Sequence, residues 1–231
     1  MKNLIIAIDG PSGVGKSTLS KILSHELGYL NLDTGAMYRT IAVAAVRQGI
    51  DTKDHEALRQ LCDECVVEFV HKGGTEHVLL NGEDVSAAIR TPEISLLTAA
   101  VAACPAVREA MVARQRELGA AGGVVLEGRD IGTVVFPNAD VKFFLKASAE
   151  IRGQRRFLEL QAKGVDVDLA RTIAEVEARD AADTSRATSP LLQAVDAVVI
   201  DTTGLDIPQV LERMFAVVAE AQSGRGEGPA S

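Results

Sequence analysis

One segment near the start of the chain constrains its fold and its chemistry most strongly. Residues 4–9 form an apolar run that predicts a buried strand, and residues 16–27 have the periodicity of an amphipathic helix. Between them the sequence matches the pattern G-x-x-x-x-G-K-[ST], in which backbone N–H groups surround the phosphates of a nucleoside triphosphate. The lysine of this pattern reaches the β- and γ-phosphates, and the hydroxyl residue after it ligates Mg²⁺. The residues expected to hold the triphosphate are Gly10, Pro11, Ser12, Gly13, Val14, Gly15, Lys16, Ser17 and Thr18, with Ser17 as the Mg²⁺ ligand.

The composition argues against several other classes of protein. The chain has 231 residues, of which 47% are hydrophobic, and this suits one α/β domain or one domain with a small insert. The net charge of −8 argues against a surface for nucleic acid or for an anionic membrane. We find no signal peptide and no apolar run of about 18 residues, so we expect a cytoplasmic protein. Cys62, Cys65 and Cys104 lack a second C-x-x-C pair for a zinc site, and helical spacing places the first two towards a core.

Strand and helix patterns alternate along the rest of the chain. Further strands are predicted at 29–32, 124–126, 141–145 and 197–201, and helices at about 33–48, 53–61, 93–103, from 105, from 148, 169–183 and 207–221. This alternation predicts an α/β fold with a parallel sheet of about five strands and helices on both faces. Short apolar runs around Gly73-Gly74 and Asn81-Gly82 predict a small antiparallel β insert at about 65–90. Residues 222–231 are expected to be disordered.

Arginine residues point to a reaction rather than to binding alone. Of the 24 basic residues 16 are arginine, and arginine binds phosphate through a planar bidentate fork. Several lie at the carboxyl ends of predicted strands, where ligands bind in open α/β sheets, or share one helix face. This distribution indicates two phosphorylated ligands, a phosphoryl donor and an acceptor. The arginines concerned are Arg39, Arg108, Arg129, Arg152, Arg155, Arg156, Arg179 and Arg186.

Simpler interpretations of these arginines remain open. Arg39 could form a surface ion pair, and Arg129 could pair with Asp130 in a loop. The three arginines from 152 to 156 could form a solvated basic face. A switch GTPase is disfavoured, because the chain lacks an Asn/Thr-Lys-x-Asp motif.

The motifs taken together resemble those of the bacterial cytidylate kinases, which phosphorylate CMP and dCMP with ATP. The resemblance spans about residues 4–221, and its most specific part is the run 128–137 together with the β insert. The segments that carry it are Asp9-Gly10-Pro11-Ser12-Gly13, Asp33-Thr34-Gly35-Ala36-Met37-Tyr38-Arg39, Glu83-Asp84-Val85-Ser86, Ile89-Arg90-Thr91, Val107-Arg108-Glu109, Glu127-Gly128-Arg129-Asp130-Ile131-Gly132-Thr133-Val134-Val135-Phe136-Pro137 and 179–186.

The resemblance implies a P-loop kinase core over 1–221, a nucleoside-monophosphate-binding β insert at about 65–92 and a short arginine-bearing lid at about 152–186. ATP would be the co-substrate, with Mg²⁺, and the protein would act as a monomer. The family pattern usually has serine where this chain has Thr34 and Ala99.

The resemblance also implies roles for individual residues. Arg39 and Arg129 would hold the CMP phosphate, and Arg108 with Asp130 would bind the edge of the cytosine. Arg179 and Asp183 would contact the ribose, and Arg186 the base or the phosphate. Arg152, Arg155 and Arg156 would close over the ATP phosphates. Thr34 and Tyr38 complete the substrate-binding set, and the residues implied to be catalytic are Lys16, Arg129, Arg152, Arg156 and Arg186.

Two alternatives stay open at this point. One is a kinase of the same fold with another acceptor, such as a UMP/CMP, adenylate or shikimate kinase. The other is a switch that binds ATP without an acceptor.

Overall fold

The computed structural model describes residues 3–72, 75–162 and 164–224. The strands in these ranges are β1 (Ile5–Asp9), β2 (Leu30–Asp33), β3 (Val67–Lys72), β4 (Thr75–Leu80), β5 (Glu83–Asp84), β6 (Val124–Gly128), β7 (Val141–Lys146) and β8 (Val198–Asp201). The α-helices are α1 (Lys16–Leu27), α2 (Thr34–Gln48), α3 (His55–Glu64), α4 (Pro92–Ala103), α5 (Pro105–Gly119), α6 (Ala149–Ala162), α7 (Leu169–Ser185) and α8 (Ile207–Ser223).

The main sheet has five parallel strands in the order β2-β6-β1-β7-β8, flanked by helices. β1 lies between β6 and β7, with Asp9 opposite Gly128 on one side and Phe144 on the other. All of β6 and most of β1 are buried, which explains why these strands are continuous apolar runs instead of alternating patterns. The predicted five-stranded α/β fold is therefore confirmed.

The second sheet is small and antiparallel, with the order β3-β4-β5. Asn81 and Gly82 connect β4 to β5 with positive φ angles of 49° and 83°. Two left-handed residues are what a tight type I′ turn requires, and Asn-Gly is the preferred pair for it. The predicted Asn-Gly turn is confirmed, whereas the predicted Gly73-Gly74 turn lies outside the described residues.

The chain divides into two compact units, here called the core unit (Met1–Asn31 with Ala121–Ser231) and the inserted unit (Leu32–Ala120). The hydrophobic centre of the core unit is built from strands β1, β6, β7 and β8 with helices α1 and α8. The inserted unit has its own centre, which includes Cys62 and Cys104, while Cys65 packs against it. Burial raises the pKa of Cys62 to about 12 and that of Cys65 to about 11, so both are neutral thiols that pack as small apolar groups.

Helix boundaries agree closely with the sequence prediction, and each has a local cause. Asp33, Asp54 and Thr91 accept N-cap hydrogen bonds at the starts of α2, α3 and α4. Helix α8 continues through Ser223, two residues beyond its predicted end, and residues 225–231 lie outside the described ranges.

A π-helical turn at Ile131–Val135 follows β6, and no pattern in the sequence predicted it.

No single helix in the described ranges is long and apolar enough to cross a membrane. The bent pair α4 and α5 would meet that test by length and composition only.

Candidate active site

The phosphate loop between β1 and α1 needs glycine for steric reasons. Gly10, Gly13 and Gly15 have φ angles of 149°, 76° and 100°, a region that other residues rarely adopt. A Cβ atom on Gly10 would lie 2.4 Å from the carbonyl oxygen of Leu145 in β7. The loop can therefore curl only with glycine at these positions, and its backbone is shaped to surround an anion.

Lys16 folds back onto this loop. Its Nζ donates to the carbonyl oxygens of Gly10 at 2.8 Å and Pro11 at 2.7 Å. Burial lowers the pKa of Lys16 well below its ordinary value, and the positive charge of Arg129 acts in the same direction. The carboxylates of Glu127 and Asp9 oppose that shift. An anionic ligand in the loop would favour the charged ammonium form of Lys16 and raise its pKa again.

Asp9, the last residue of β1, is a functional candidate to which the sequence analysis gave no role. Its side chain is 3% exposed and accepts backbone N–H bonds from Ile131 at 2.9 Å and Gly132 at 2.7 Å. Burial raises its pKa to about 6, although both N–H donors act in the opposite direction. A charged carboxylate at the end of a buried strand is unfavourable without such partners. An aspartate directly after an apolar strand is therefore the sequence signal that could have identified Asp9.

Three predicted acceptor residues meet in the core unit. Asp183 in α7 accepts from Arg129 Nε at 2.8 Å through Oδ2, and Arg186 donates to its other oxygen. Burial would raise the pKa of Asp183, but the charges of Arg129 and Arg186 outweigh it and hold the pKa below its ordinary value. Arg179 acts electrostatically on both Asp183 and Lys16. The structure thus brings the predicted 179–186 set into range of the phosphate loop, and Arg129 pairs with Asp183 rather than with the adjacent Asp130.

The three arginines of α6 have separate partners. Arg152 is buried and donates to the carbonyl oxygens of Ala147 and Ser12, and it pairs with Asp180 at 2.5 Å. Its bond to Ser12 connects the helix directly to the phosphate loop.

The other two α6 arginines have different partners. Arg155 donates to the hydroxyl and the carbonyl oxygen of Thr202, and Arg156 forms an exposed ion pair with Glu159. The charges of Arg152 and Arg156 are thus paired with carboxylates within the chain, and their contact with the ATP phosphates stays a prediction.

A cavity of about 300 Å³ lies beside the phosphate loop in the core unit. Its lining includes Pro11 of the loop, Lys146 at the end of β7 and Asp180 of α7. Asp180 was not predicted as a site residue; its Oδ1 is buried and has no hydrogen-bond partner among the described residues.

The remaining predicted substrate residues lie in the inserted unit. Asp33 caps α2 by accepting from Ala36 N at 2.9 Å, and its other oxygen pairs with Arg39 at 2.6 Å. Burial would raise the pKa of Asp33, but Arg39 outweighs it and the pKa falls. The Nε of Arg39 is buried and has no hydrogen-bond partner in the described part of the chain. Thr34 is buried in the first turn of α2.

Arg108 and Tyr38 stack within the same unit. The guanidinium carbon of Arg108 lies 5.4 Å from the centre of the Tyr38 ring, a cation–π geometry, and its NH1 donates to Ala102 O at 3.3 Å. Both side chains are buried. These two predicted substrate residues therefore contact each other directly.

Comparison with known proteins assigns these features to a family. A family described as cytidylate kinase matches residues 6–220 of the chain. The chain belongs to the cytidylate kinase family.

Individual members of the family are similar over almost their whole length. A protein named cytidylate kinase from Syntrophotalea carbinolica is 66% identical over 96% of this chain and 94% of its own length. Another from Geobacter sulfurreducens is 55% identical over 96% of this chain and 95% of its own length. A solved structure of an uncharacterized protein from Eubacterium ventriosum aligns with a TM-score of 0.51 at 13% identity, covering 95% of this chain and 99% of the other, and it supports the fold alone.

One departure from the cytidylate kinase pattern can now be located. Ala99 lies exposed on α4, and the neighbouring Thr98 is buried with its hydroxyl donating to Ile94 O at 2.5 Å. The one hydrogen that this hydroxyl can donate is therefore used within its own helix.

Proposed function

We propose that this chain transfers the γ-phosphoryl group of ATP to CMP or dCMP, giving ADP with CDP or dCDP. One observation carries the proposal beyond family membership. Buried Lys16 of the phosphate loop lies within electrostatic range of Arg129 and Arg179, two of the arginines assigned to the acceptor. Positive groups for donor and acceptor phosphates are therefore concentrated in one unit, as a two-phosphate reaction requires.

On the donor side, the backbone N–H groups of residues 10–18 would bind the ATP phosphates. Lys16 would leave the carbonyl oxygens of Gly10 and Pro11 and donate to the β- and γ-phosphates instead. Arg152, already bonded to Ser12 in the loop, and Arg155 and Arg156 farther along α6 would neutralise the phosphates. Arginine is suited to this task because its fork binds two phosphate oxygens at once.

On the acceptor side, Arg129 would bind the CMP phosphate and Asp130 would accept from the amine of cytosine. Arg179 and Asp183 would bind the ribose, while Arg186 would bind the base or the phosphate. Arg39, whose Nε is buried without a hydrogen-bond partner in the described part of the chain, would also bind the phosphate, and Arg108, Tyr38 and Thr34 would complete the contacts.

The proposed chemistry is positioning and charge neutralisation. The acceptor oxygen belongs to a phosphate that is ionised at neutral pH, so the chain needs no general base. Lys16, Arg129, Arg152, Arg156 and Arg186 would stabilise the charge on the transferring group, an effect worth about 10³–10⁵ in rate for a single arginine in other phosphoryl transferases.

The residues present also fit a magnesium ion. The Ser17 hydroxyl is exposed in the first turn of α1 and forms no hydrogen bond within the described ranges, and oxygen is the ligand type that Mg²⁺ prefers. When bound, Mg²⁺ would neutralise charge on the ATP phosphates. We further propose that the protein works as a cytoplasmic monomer.

The decisive test is a coupled assay of ADP release with CMP, dCMP, UMP, AMP, GMP and shikimate as acceptors. We expect CMP and dCMP to be used with the highest kcat/KM, and Lys16→Met to serve as the inactive control. Asp130→Ala should raise the KM for CMP and reduce its preference over UMP, because a buried polar contact is lost. Turnover of AMP far above that of CMP would contradict the proposal.

A further inference from the structure

Asp9 connects two segments that the proposed function treats separately. It immediately precedes Gly10, the first residue of the phosphate loop. Its two carboxylate oxygens accept the N–H groups of Ile131 and Gly132, which directly follow Arg129 and Asp130. One buried side chain thus joins the start of the donor loop to the start of the turn after the acceptor residues.

The turn is also held at its far end. Lys142 in β7 is buried, and its Nζ donates to Pro137 O at 2.5 Å and to Asp196 at 2.8 Å. In the sheet register, Ala7 of β1 lies opposite Lys142 and Asp9 lies opposite Phe144. Because side chains of one strand alternate between faces, Asp9 and Lys142 project to the same face of the sheet, where the segment 128–137 crosses it.

Space at this contact is tight. A Cβ atom on Gly132 would lie 3.1 Å from Cδ of Lys142 and 3.4 Å from Oδ2 of Asp9. A side chain at position 132 would therefore crowd Lys142 next to the bond between the Gly132 N–H and the carboxylate. The charges of Asp130 and Lys16 both act on the pKa of Asp9. Asp9 therefore interacts electrostatically with a residue of the acceptor segment and with a residue of the donor loop.

We propose that Asp9 is a positioning residue for the acceptor. Asp9 fixes the backbone of Arg129 and Asp130 by accepting two hydrogen bonds from the turn that follows them. Asp9 makes no contact with the substrate; it acts through Asp130 and Arg129. The inference rests on the proposed roles of those two residues.

The test uses Asp9→Asn in the full chain, which keeps the shape of the side chain but replaces one acceptor oxygen with a donor. Asp140→Asn is the matched control, because Asp140 accepts the Ile5 N–H at 2.7 Å near the opposite end of β1. We expect Asp9→Asn to raise the KM for CMP by about tenfold and to lower the CMP-over-UMP ratio of kcat/KM by about fivefold or more. Peptides covering 129–137 should exchange amide hydrogens faster, and Asp140→Asn should show none of these changes.

A double-mutant cycle separates positioning from a general structural effect. If Asp9 acts through Asp130, Asp9→Asn should change CMP discrimination in the wild-type background and leave it unchanged in Asp130→Ala. Equal losses for CMP and ATP with an unchanged CMP-over-UMP ratio would overturn the proposal, as would full additivity in the cycle.

Two further results distinguish a failure of the inference from misfolding and from a failure of the proposed function. If Asp9→Asn does not fold, Gly132→Ala crowds the same contact without changing charge, and it should lower CMP discrimination in the same direction. If Asp130→Ala leaves the CMP-over-UMP ratio of kcat/KM unchanged, the base-binding role of Asp130 is refuted. If Asp130→Ala lowers this ratio and Asp9→Asn does not, only the inference about Asp9 is refuted.

Discussion

Single side chains in this protein show how much of the site's electrostatics depends on burial. Lys16 and Asp9 lie near each other, both nearly inaccessible, and burial shifts their pKa values towards the neutral forms. Asp183 is also largely buried, yet the arginines beside it hold its pKa low. The difference lies in the partners, because the arginines beside Asp183 outweigh desolvation, whereas the two backbone N–H donors and Lys16 near Asp9 do not.

The pKa of Asp9 predicts how stability depends on pH. Its value is about 6 in the folded chain against an ordinary value of 3.8, so between these limits the folded state binds more protons than the unfolded state. Stability from this group is therefore present at low pH and is lost as pH rises from about 4 through about 6, by up to about 3 kcal/mol. Asn at position 9 does not titrate. We expect the free energy of unfolding of the wild type to fall relative to that of Asp9→Asn over this range.

Urea denaturation at several pH values from about 4 to about 7 measures that difference. The charged side chains that act on Asp9 are Asp130 in the adjoining turn and Lys16 in α1. Both are present in the two proteins, so their contributions largely cancel in the comparison. A constant difference between the two proteins at all pH values would show that Asp9 does not carry a raised pKa.

At the level of secondary structure elements, the pairing of α6 with α7 depends on one glycine. A Cβ atom on Gly153 of α6 would lie 2.4 Å from Cγ1 and 2.9 Å from Cα of Ile173 in α7. Alanine favours a helix over glycine by about 1 kcal/mol, but overpacking at such a contact costs about 1–3 kcal/mol. We expect Gly153→Ala to destabilise the protein and to lower kcat, because both helices carry arginines of the proposed site.

Gly204 offers a control for this substitution. It lies between β8 and α8, and a Cβ atom there would meet nothing within 4 Å. Gly204→Ala should change the free energy of unfolding by less than about 0.5 kcal/mol. Both variants can be compared by urea denaturation, and a Gly153→Ala protein as stable as the wild type would mean that the helices do not need this close approach.

The elements were predictable from sequence, whereas the partners of the charged residues were not. Strand and helix periods and the glycine pattern of residues 10–15 are local signals, and the structure has these elements where the sequence predicts them. The bond from Ile131 to Asp9 joins residues 122 positions apart, and that from Arg129 to Asp183 joins residues 54 apart. Sequence spacing identifies residues on one helix face, but which carboxylate each arginine meets depends on how helices and strands pack. Asp9 and Asp180 were missed for this reason.

For the molecule as a whole, a negative net charge coexists with a concentrated positive site. The chain carries −8 overall, yet Lys16, Arg129, Arg152 and Arg179 gather in the core unit around the phosphate loop. Such an arrangement repels polyanions from most of the surface while it attracts small phosphorylated ligands to one place. Phosphorylated ligands that bind at this place should stabilise the folded chain.

Thermal denaturation with single ligands tests this last consequence and separates an enzyme from a switch. A ligand that binds only the folded chain stabilises it by about 2.7 kcal/mol at a hundred times its Kd, which for a chain of this size raises Tm by about 5–10 °C. We expect CMP alone and a non-hydrolysable ATP analogue alone each to produce a shift of this order, with a smaller one from UMP at equal concentration. Asp130→Ala should lose most of the CMP shift and keep the shift with the ATP analogue. Protection by the analogue with none from CMP would indicate a nucleotide-dependent switch without an acceptor, because a kinase must bind both substrates.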